Sequence, residues 1–163
     1  MFRKIYAVVA PLRRAGWFIA LAILLLDQVT KVWAVSALSD GDRVQVIPGL
    51  LRFTYVRNSG AAFSMGQGST LYLALFSLFV GVAIALFGGR SRELWLPMSL
   101  ILGGVLGNLG DRIFRSPGVM KGHVVDWIEL PHWPIFNIAD SAVVIAASII
   151  VISALFQRKR IDA

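Results

Sequence analysis

Residues 138–156 read IADSAVVIAASIIVISALF, and this stretch decides the class of fold. As a helix, it is long and apolar enough to cross the hydrocarbon core of a membrane, which is about 30 Å thick. Three further apolar stretches, at residues 16–37, 71–87 and 94–111, have similar character. The sequence therefore predicts an all-α membrane protein with four transmembrane helices, forming a single domain over residues 1–163.

The composition of the chain supports a membrane protein. Of its 163 residues 57% are hydrophobic and the mean hydropathy is +0.73, whereas soluble domains are about 45–50% apolar. The net charge of +7 comes from Lys and Arg at helix ends, which favours contact with membrane lipids over nucleic acid. The chain has no cysteine, so a disulfide framework and a thiol nucleophile are both excluded.

The distribution of Lys and Arg predicts the orientation in the membrane. One side of a four-helix arrangement carries tight groups of cations with little acid, whereas the opposite loops mix cations with Asp and Glu. Because cytoplasmic loops are enriched in Lys and Arg, we expect both termini in the cytoplasm. The predicted cytoplasmic group consists of Arg3, Lys4, Arg13, Arg14, Arg90, Arg92, Arg158, Lys159 and Arg160.

Two long loops are then expected on the outside, at residues 38–68 and 112–135. In the first loop, residues 43–47 and 51–56 form two segments in which polar and apolar residues alternate, and these segments flank the turn signal Pro48-Gly49. This pattern predicts a small extracytoplasmic β-hairpin, or cradle, on the outer membrane surface.

The polar residues of the helices fall at one predicted depth. About 20 Å of helix separates Arg14 from Asp27, which places Asp27 beyond the midplane towards the outside. The other polar residues come at the outer ends of their helices or in the loop between them. Unrelated helix ends would scatter in depth, so this convergence predicts a polar site near the outer interface. The set comprises Asp27, Lys31, Asn108, Asp111, Arg112, Asp126, Asn137 and Asp140.

Asp126 and Asp140 are the candidate catalytic residues. Two carboxylates at one place repel each other, which raises one pKa and leaves an acid beside a base. Hydrolysis by an activated water needs such a pair. The alternatives are a small proton- or ion-coupled transporter, in which membrane carboxylates relay protons, and a non-catalytic scaffold. The inner half of every predicted span lacks a charged residue, which counts against a transport route.

Several of these polar residues also have structural interpretations. Asp27 and Lys31 have the i,i+4 spacing of a helical ion pair, and Asp111-Arg112 is also consistent with a solvated helix end. Asp140 could cap the fourth helix.

Asn108 and Asn137 could form interhelical hydrogen bonds. Gly103-Gly104 and Gly107 form a small-residue face that would let another helix approach the third one closely.

No metal or other cofactor is predicted. His123 and His132 lack the spacing of a zinc hydrolase motif, so interfacial loop histidines are the favoured interpretation. A serine dyad is disfavoured because no histidine shares a depth with the candidate serines, which are Ser64, Ser99 and Ser141.

Five sequence blocks, in order, resemble the lipoprotein signal peptidase (signal peptidase II) family, bacterial aspartyl proteases that remove signal peptides from prolipoproteins. The blocks span residues 27–141, most of the chain. They are Asp27-Gln28-Val29-Thr30-Lys31, Asn58-Ser59-Gly60-Ala61-Ala62-Phe63, residues 103–112 (GGVLGNLGDR), Val124-Val125-Asp126-Trp127 and Phe136-Asn137-Ile138-Ala139-Asp140-Ser141.

The resemblance implies that Asp126 and Asp140 share a water and a proton, one activating the water and the other protonating the departing amine. Which residue does which stays open, because a coupled pair titrates as a unit. The implied substrates are diacylglyceryl prolipoproteins, cut just before the lipidated cysteine. The remaining matched residues would orient the peptide or the pair (Asn58, Asn108, Arg112 and Asn137) or hold the scaffold (Asp27, Lys31 and Asp111).

The resemblance also implies a monomer in the bacterial cytoplasmic (inner) membrane and inhibition by the cyclic peptide globomycin. Two features depart from the family pattern. Trp127 stands where the family commonly has Phe, from which we expect altered packing without loss of activity. Residues 113–123 form a longer segment than in the shortest family members.

Overall fold

Four helices and a small sheet make up the part of the chain that the computed structural model describes, residues 10–60 and 70–161, with side chains as far as residue 156. The helices are α1 (Arg14–Leu38), α2 (Thr70–Phe87), α3 (Trp95–Phe114) and α4 (Ile138–Ile161). The strands are β1 (Val44–Ile47), β2 (Leu51–Asn58) and β3 (Val124–Glu129). Arg3, Lys4, the side chains of residues 158–160 and residues 61–68 of the first predicted loop lie outside the described residues.

Three of the described helices are long and apolar enough to cross a membrane: Arg14–Leu38, Thr70–Phe87 and Ile138–Phe156. Their outward faces carry large exposed apolar side chains, such as Phe18 and Phe79. Such surfaces are rare on soluble monomers and are natural where lipid is the solvent. The protein is therefore a multi-pass membrane protein.

Helix α3 occupies the place of the third predicted span but is less apolar, because polar residues crowd its C-terminal third. It begins at Trp95 and ends at Phe114, three residues beyond the predicted end at Asp111. Asp111 and Arg112 therefore lie inside the helix, and both are buried. The alternative of a solvated helix end at these two residues is wrong.

Glycines place α3 between α1 and α4. A Cβ atom at Gly103 would lie 2.8 Å from the backbone oxygen of Ala20 in α1, and one at Gly104 would collide with the backbone oxygen of Ala139 in α4. The small-residue face predicted from the sequence thus allows two neighbouring backbones to approach α3 closely.

The sheet has the order β1-β2-β3 and is antiparallel throughout. The predicted hairpin is present as β1 and β2, with Gly49 at a φ of 75° in its turn. Strand β3 was not predicted. It pairs Asp126 with Val56 and Val124 with Asn58, and this register brings the chain around Asp126 beside the end of β2.

An aromatic cluster fixes the sheet against α1. The rings of Trp33, Phe53 and Trp127 meet edge to face, with centroids 5.0–5.5 Å apart. Such pairs contribute about 0.5–1.5 kcal/mol each beyond simple burial. Because Trp127 follows Asp126 directly, the cluster also sets the position of that carboxylate relative to the helices.

Candidate active site

Asp126 and Asp140 line the same cavity, which has a volume of about 290 Å³. Asp126 projects from β3 and is 2% exposed, whereas Asp140 lies in the first turn of α4 and is half-buried. The two candidate residues therefore reach one space from a strand and from a helix. The rest of the polar lining comes from Asn58, Asn108 and Arg112.

Both carboxylate oxygens of Asp126 accept hydrogen bonds from amide side chains. Asn137 Nδ2 donates to Oδ1 at 2.6 Å and Asn58 Nδ2 donates to Oδ2 at 2.9 Å. Burial nevertheless raises the pKa of Asp126 to about 7, and the nearby charge of Asp140 adds to this effect. Asp126 thus holds a proton far more readily than an exposed aspartate does.

Asp140 takes part in a capping box at the start of α4. Its backbone N–H donates to Asn137 Oδ1 at 2.9 Å, and its own Oδ2 accepts from the Asn137 N–H at 3.3 Å. Asn137 is therefore the N-cap residue, and Asp140 is the third residue of the helix. The other carboxylate oxygen of Asp140, Oδ1, accepts a hydrogen bond from Asn108 Nδ2 at 2.8 Å. The same Asp140 side chain therefore caps the helix and lines the cavity.

A fully buried charge cluster lies beneath the cavity. Lys31 Nζ forms ion pairs with Asp27 Oδ2 at 2.7 Å and with Asp111 Oδ2 at 2.9 Å, and all three side chains have no exposed surface. Asp27 also accepts from the Ala139 N–H, and Asp111 from the Val125 N–H. The cluster therefore joins α1 and α3 to the residues that adjoin Asp126 and Asp140.

Arg112 connects the cavity to the end of β2. Its guanidinium donates to the backbone oxygen of Gly60 at 3.0 Å and interacts electrostatically with Asp126 and Asp140. The side chain is 6% exposed, and its Nε has no hydrogen-bond partner within the described ranges. A cation held this way at the cavity wall is suited to binding a carbonyl or carboxylate oxygen.

The structure brings together all the site residues named from the sequence, either around the cavity or in the cluster beneath it. The sequence did not single out Gln28, which donates to Gly107 O at 3.0 Å and to Asp111 Oδ1 at 3.3 Å. It also missed the apolar wall of the cavity, for which the only signal was a run of bulky residues before α4. This wall consists of Trp133, Pro134, Ile135, Phe136, Val143 and Val144.

The two histidines lie outside this arrangement. His123 is half-buried and His132 is exposed with a φ of 58°, and neither lines the cavity. Residues 10–60 and 70–161 contain no group of three or more His, Cys, Asp or Glu side chains placed to hold a metal ion.

The fold and the site together define a class: a multi-pass membrane protein with paired carboxylates in one cavity at one end of its helices. Residues 19–156 match the family model described as signal peptidase (SPase) II. This match covers most of the chain, and the chain belongs to the signal peptidase II family.

Curated relatives and solved structures agree with this assignment. The chain is 46% identical over 151 residues to a lipoprotein signal peptidase of Mycobacterium tuberculosis, covering 90% of this chain and 75% of the relative. It is 44% identical over 139 residues to that of Rhodococcus jostii, covering 84% and 70%. A solved structure described as a bacterial membrane enzyme superposes with a TM-score of 0.76 at 28% identity, covering 93% of this chain and 94% of the other.

Proposed function

We propose that this protein is a membrane aspartic endopeptidase that cleaves the signal peptide from diacylglyceryl-modified prolipoproteins, just before the lipidated cysteine. Family membership and the names of the relatives support the reaction and the substrate class. The observation that supports an aspartic mechanism is the pair Asp126 and Asp140. The two side chains face one cavity, and each of their carboxylate oxygens accepts a hydrogen bond from an N–H donor. The transporter alternative has no support from these findings.

The environments of the two carboxylates support different roles. Asp126 is buried on a strand with its pKa raised to about 7, so it is the residue that holds the shared proton before reaction. Asp140 lies at the N-terminal end of α4, where a helix favours negative charge. Asp140 is therefore the base and Asp126 the acid.

Peptide hydrolysis follows from these two roles. Asp140 takes one proton from a water held between the carboxylates, and the resulting hydroxide attacks the scissile carbonyl carbon. The carbon–nitrogen bond then breaks as the nitrogen takes the proton of Asp126. The products are a carboxyl group and a free amine, and transfer of the proton from Asp140 to Asp126 restores the starting state.

The remaining residues hold the peptide and the pair in place. Arg112 and Asn58 line the cavity beside Asp126, where they are placed to orient the scissile carbonyl. Asn108 and Asn137 hold the two carboxylates, and Asp27, Lys31 and Asp111 form the scaffold below them.

The apolar wall of the cavity ends at Val144, which is 55% exposed on the outward face of α4. The diacylglyceryl chains would thus stay in lipid while the scissile bond reaches the carboxylates.

We further propose that the single domain has four transmembrane helices and acts as a monomer in the bacterial cytoplasmic membrane, surrounded by its lipids. The less apolar α3 would be the third span, because it is shielded from lipid by α1, α2 and α4. Both termini would be cytoplasmic, and the cavity would lie at the outer face.

Purified protein and a diacylglyceryl prolipoprotein provide the direct test of this function. We expect release of the intact signal peptide, detected by mass spectrometry, with the new N-terminus at the lipidated cysteine. The same precursor without its lipid is the control and should stay uncut. Globomycin should block the release. Failure to cut the lipidated precursor, under conditions in which the protein is folded, would overturn the proposal.

The pH dependence of cleavage should show when Asp126 loses its proton. Because catalysis uses protonated Asp126 and its pKa is raised to about 7, kcat/KM should decline as the pH rises through about 7. An aspartate with an ordinary pKa would already be ionised across this range. The measurement is kcat/KM from about pH 5 to about pH 9, and a profile that keeps rising above neutrality would contradict the acid role of Asp126.

The orientation can be tested with single cysteines, because the chain has none of its own. Cysteine at the exposed Ser39, which follows the outer end of α1, should react with a membrane-impermeant maleimide added to intact cells or spheroplasts. Cysteine at Ser91, between α2 and α3, should react only after lysis. The reverse pattern would place the cavity on the cytoplasmic side, away from exported precursors, and would contradict the peptidase proposal.

A further inference from the structure

Three asparagine side chains surround the carboxylate pair, and each is oriented by a donor that cannot act as an acceptor. An amide oxygen bonded to such a donor fixes the direction of the whole amide, so its Nδ2 must point the other way. The three anchoring bonds are Gly60 N–H to Asn58 Oδ1, Asp140 N–H to Asn137 Oδ1 and Lys31 Nζ to Asn108 Oδ1, each at 2.9 Å.

The amide nitrogens therefore all face the carboxylates. Asn58 and Asn137 donate to Asp126, and Asn108 donates to Asp140. For Asn58 and Asn137 the anchoring donor is a backbone N–H a few residues away in the same chain segment. For Asn108 the anchoring donor is the Lys31 side chain, which lies on a different helix. The orientation of the Asn108 amide therefore depends on another side chain.

We propose that Lys31 is a positioning residue for the hydrolysis assigned above: its ammonium fixes the Asn108 amide so that Nδ2 faces Asp140. The inference rests on the proposed function and adds to it a role for Lys31 other than holding the scaffold. Lys31 contacts no substrate-lining surface and acts only through Asn108.

The geometry of Lys31 makes it an effective anchor. An ammonium has three N–H donors and no acceptor, and all three are used, by Asp27 at 2.7 Å, Asp111 at 2.9 Å and Asn108 at 2.9 Å. The side chain has no exposed surface, so water cannot substitute for any of these partners. The two aspartates hold the ammonium in place, and the third N–H is thereby aimed at Asn108.

A reversed Asn108 amide would be unfavourable at both ends. Its oxygen would face the Asp140 carboxylate and its NH2 group would face the ammonium. Asn137 Nδ2 also reaches Asn108 Oδ1, at 3.1 Å, but it makes a shorter bond of 2.6 Å to Asp126. Lys31 is therefore the main determinant of the Asn108 orientation.

The test needs a variant that removes the ammonium without leaving an unpaired charge. Lys31→Met combined with Asp27→Asn removes one positive and one negative charge together, and Asp111 keeps its ion pair with Arg115 and its bond from the Val125 N–H. The matched control is Asp27→Asn alone, which weakens the same charge cluster but keeps the bonds from Lys31 to Asp111 and Asn108. Folding of both is checked by thermal unfolding in detergent.

We expect the Lys31→Met/Asp27→Asn protein to lose about 10- to 100-fold in kcat, as misplacement of a catalytic group does, with KM within about twofold of wild type. Asp27→Asn alone should retain most of the wild-type kcat. Asn108→Leu alone should lower kcat as strongly as the Lys31 variant does. Because the two changes break the same interaction, adding Asn108→Leu to the Lys31 variant should lower kcat by no more than about a further twofold.

Losses in kcat that multiply when the Lys31 variant is combined with Asn108→Leu, or an equal loss in Asp27→Asn alone, would show that Lys31 acts as scaffold only and would overturn the proposal. If the Lys31→Met pair does not fold, Lys31→Gln with Asp27→Asn enters the same cycle with the same expected coupling, because a glutamine amide has an acceptor oxygen as well as N–H donors and so no longer fixes one orientation of the Asn108 amide. Wild-type cleavage is measured in parallel. A wild-type protein that cuts no precursor refutes the proposed function itself, whereas normal wild-type cleavage with an additive cycle refutes only the role of Lys31.

Discussion

Asp126→Asn and Asp140→Asn are each expected to lower signal-peptide cleavage by about 10³-fold or more, because each removes one half of the proposed acid–base pair. Asparagine at position 126 keeps the shape of the side chain but has no proton to give to the departing amine. Asparagine at position 140 cannot take a proton from water. Both variants should insert and fold, since an amide replaces a carboxyl of nearly the same size.

The measurement is single-turnover cleavage of a lipidated precursor by purified variants of matched folded content. Asp42→Asn is the control, because Asp42 is an exposed carboxylate between α1 and β1, away from the cavity, and the same chemical change there should leave cleavage intact. Near-normal turnover by either cavity variant would rule out the carboxylate pair as the catalytic centre.

Gly104→Val is expected to have the largest effect on stability. A Cβ atom at Gly104 would collide with the backbone oxygen of Ala139 and lie 2.9 Å from Val143 Cγ2, and a backbone oxygen in a helix cannot move aside alone. Overpacking costs about 1–3 kcal/mol or more, so the melting temperature should fall by roughly 10 °C. Cleavage should be lost as well, because α4 carries Asp140.

Gly110→Ala provides the comparison within the same helix. Among the described residues, a Cβ there would meet only Gln28 Nε2 within 4 Å, at 3.8 Å, and alanine favours a helix by about 1 kcal/mol over glycine. The melting temperature of Gly110→Ala should equal or exceed that of wild type. If the Gly104→Val and Gly110→Ala proteins have the same melting temperature, the close approach of α3 and α4 does not determine the stability of the protein.

The sequence predicts much of the architecture because membrane helices can be recognised from local composition. The positions of α1, α2 and α4 follow from apolar length, and the hairpin follows from alternation around Pro48-Gly49. Strand β3 could not be predicted in this way. Its partner β2 ends at Asn58, far from Val124 in the chain, and only the folded structure brings the two together.

The site was predictable in its location but not in its internal contacts. The depth of Asp27 and Asp140 can be counted from helix lengths, and the i,i+4 spacing gives the ion pair of Asp27 with Lys31 that the structure contains. The bond from Lys31 to Asn108 depends on how α1 is rotated against α3. That rotation is set by packing at Gly103 and Gly107, and single-helix patterns contain no information about it.

The ion pairs beneath the cavity also bear on the order in which the chain is made. Translation produces α1 first, and Lys31 enters the membrane with Asp27 one turn away as its counter-ion. Helix α3 emerges later with Asp111, Arg112 and Arg115 near its end, and its apolar content alone is a weak signal for insertion. By then Lys31 is already in place as a partner for Asp111. With α3 as the proposed third span, its integration would depend on prior integration of α1, and a nascent chain without α1 would leave α3 outside the lipid.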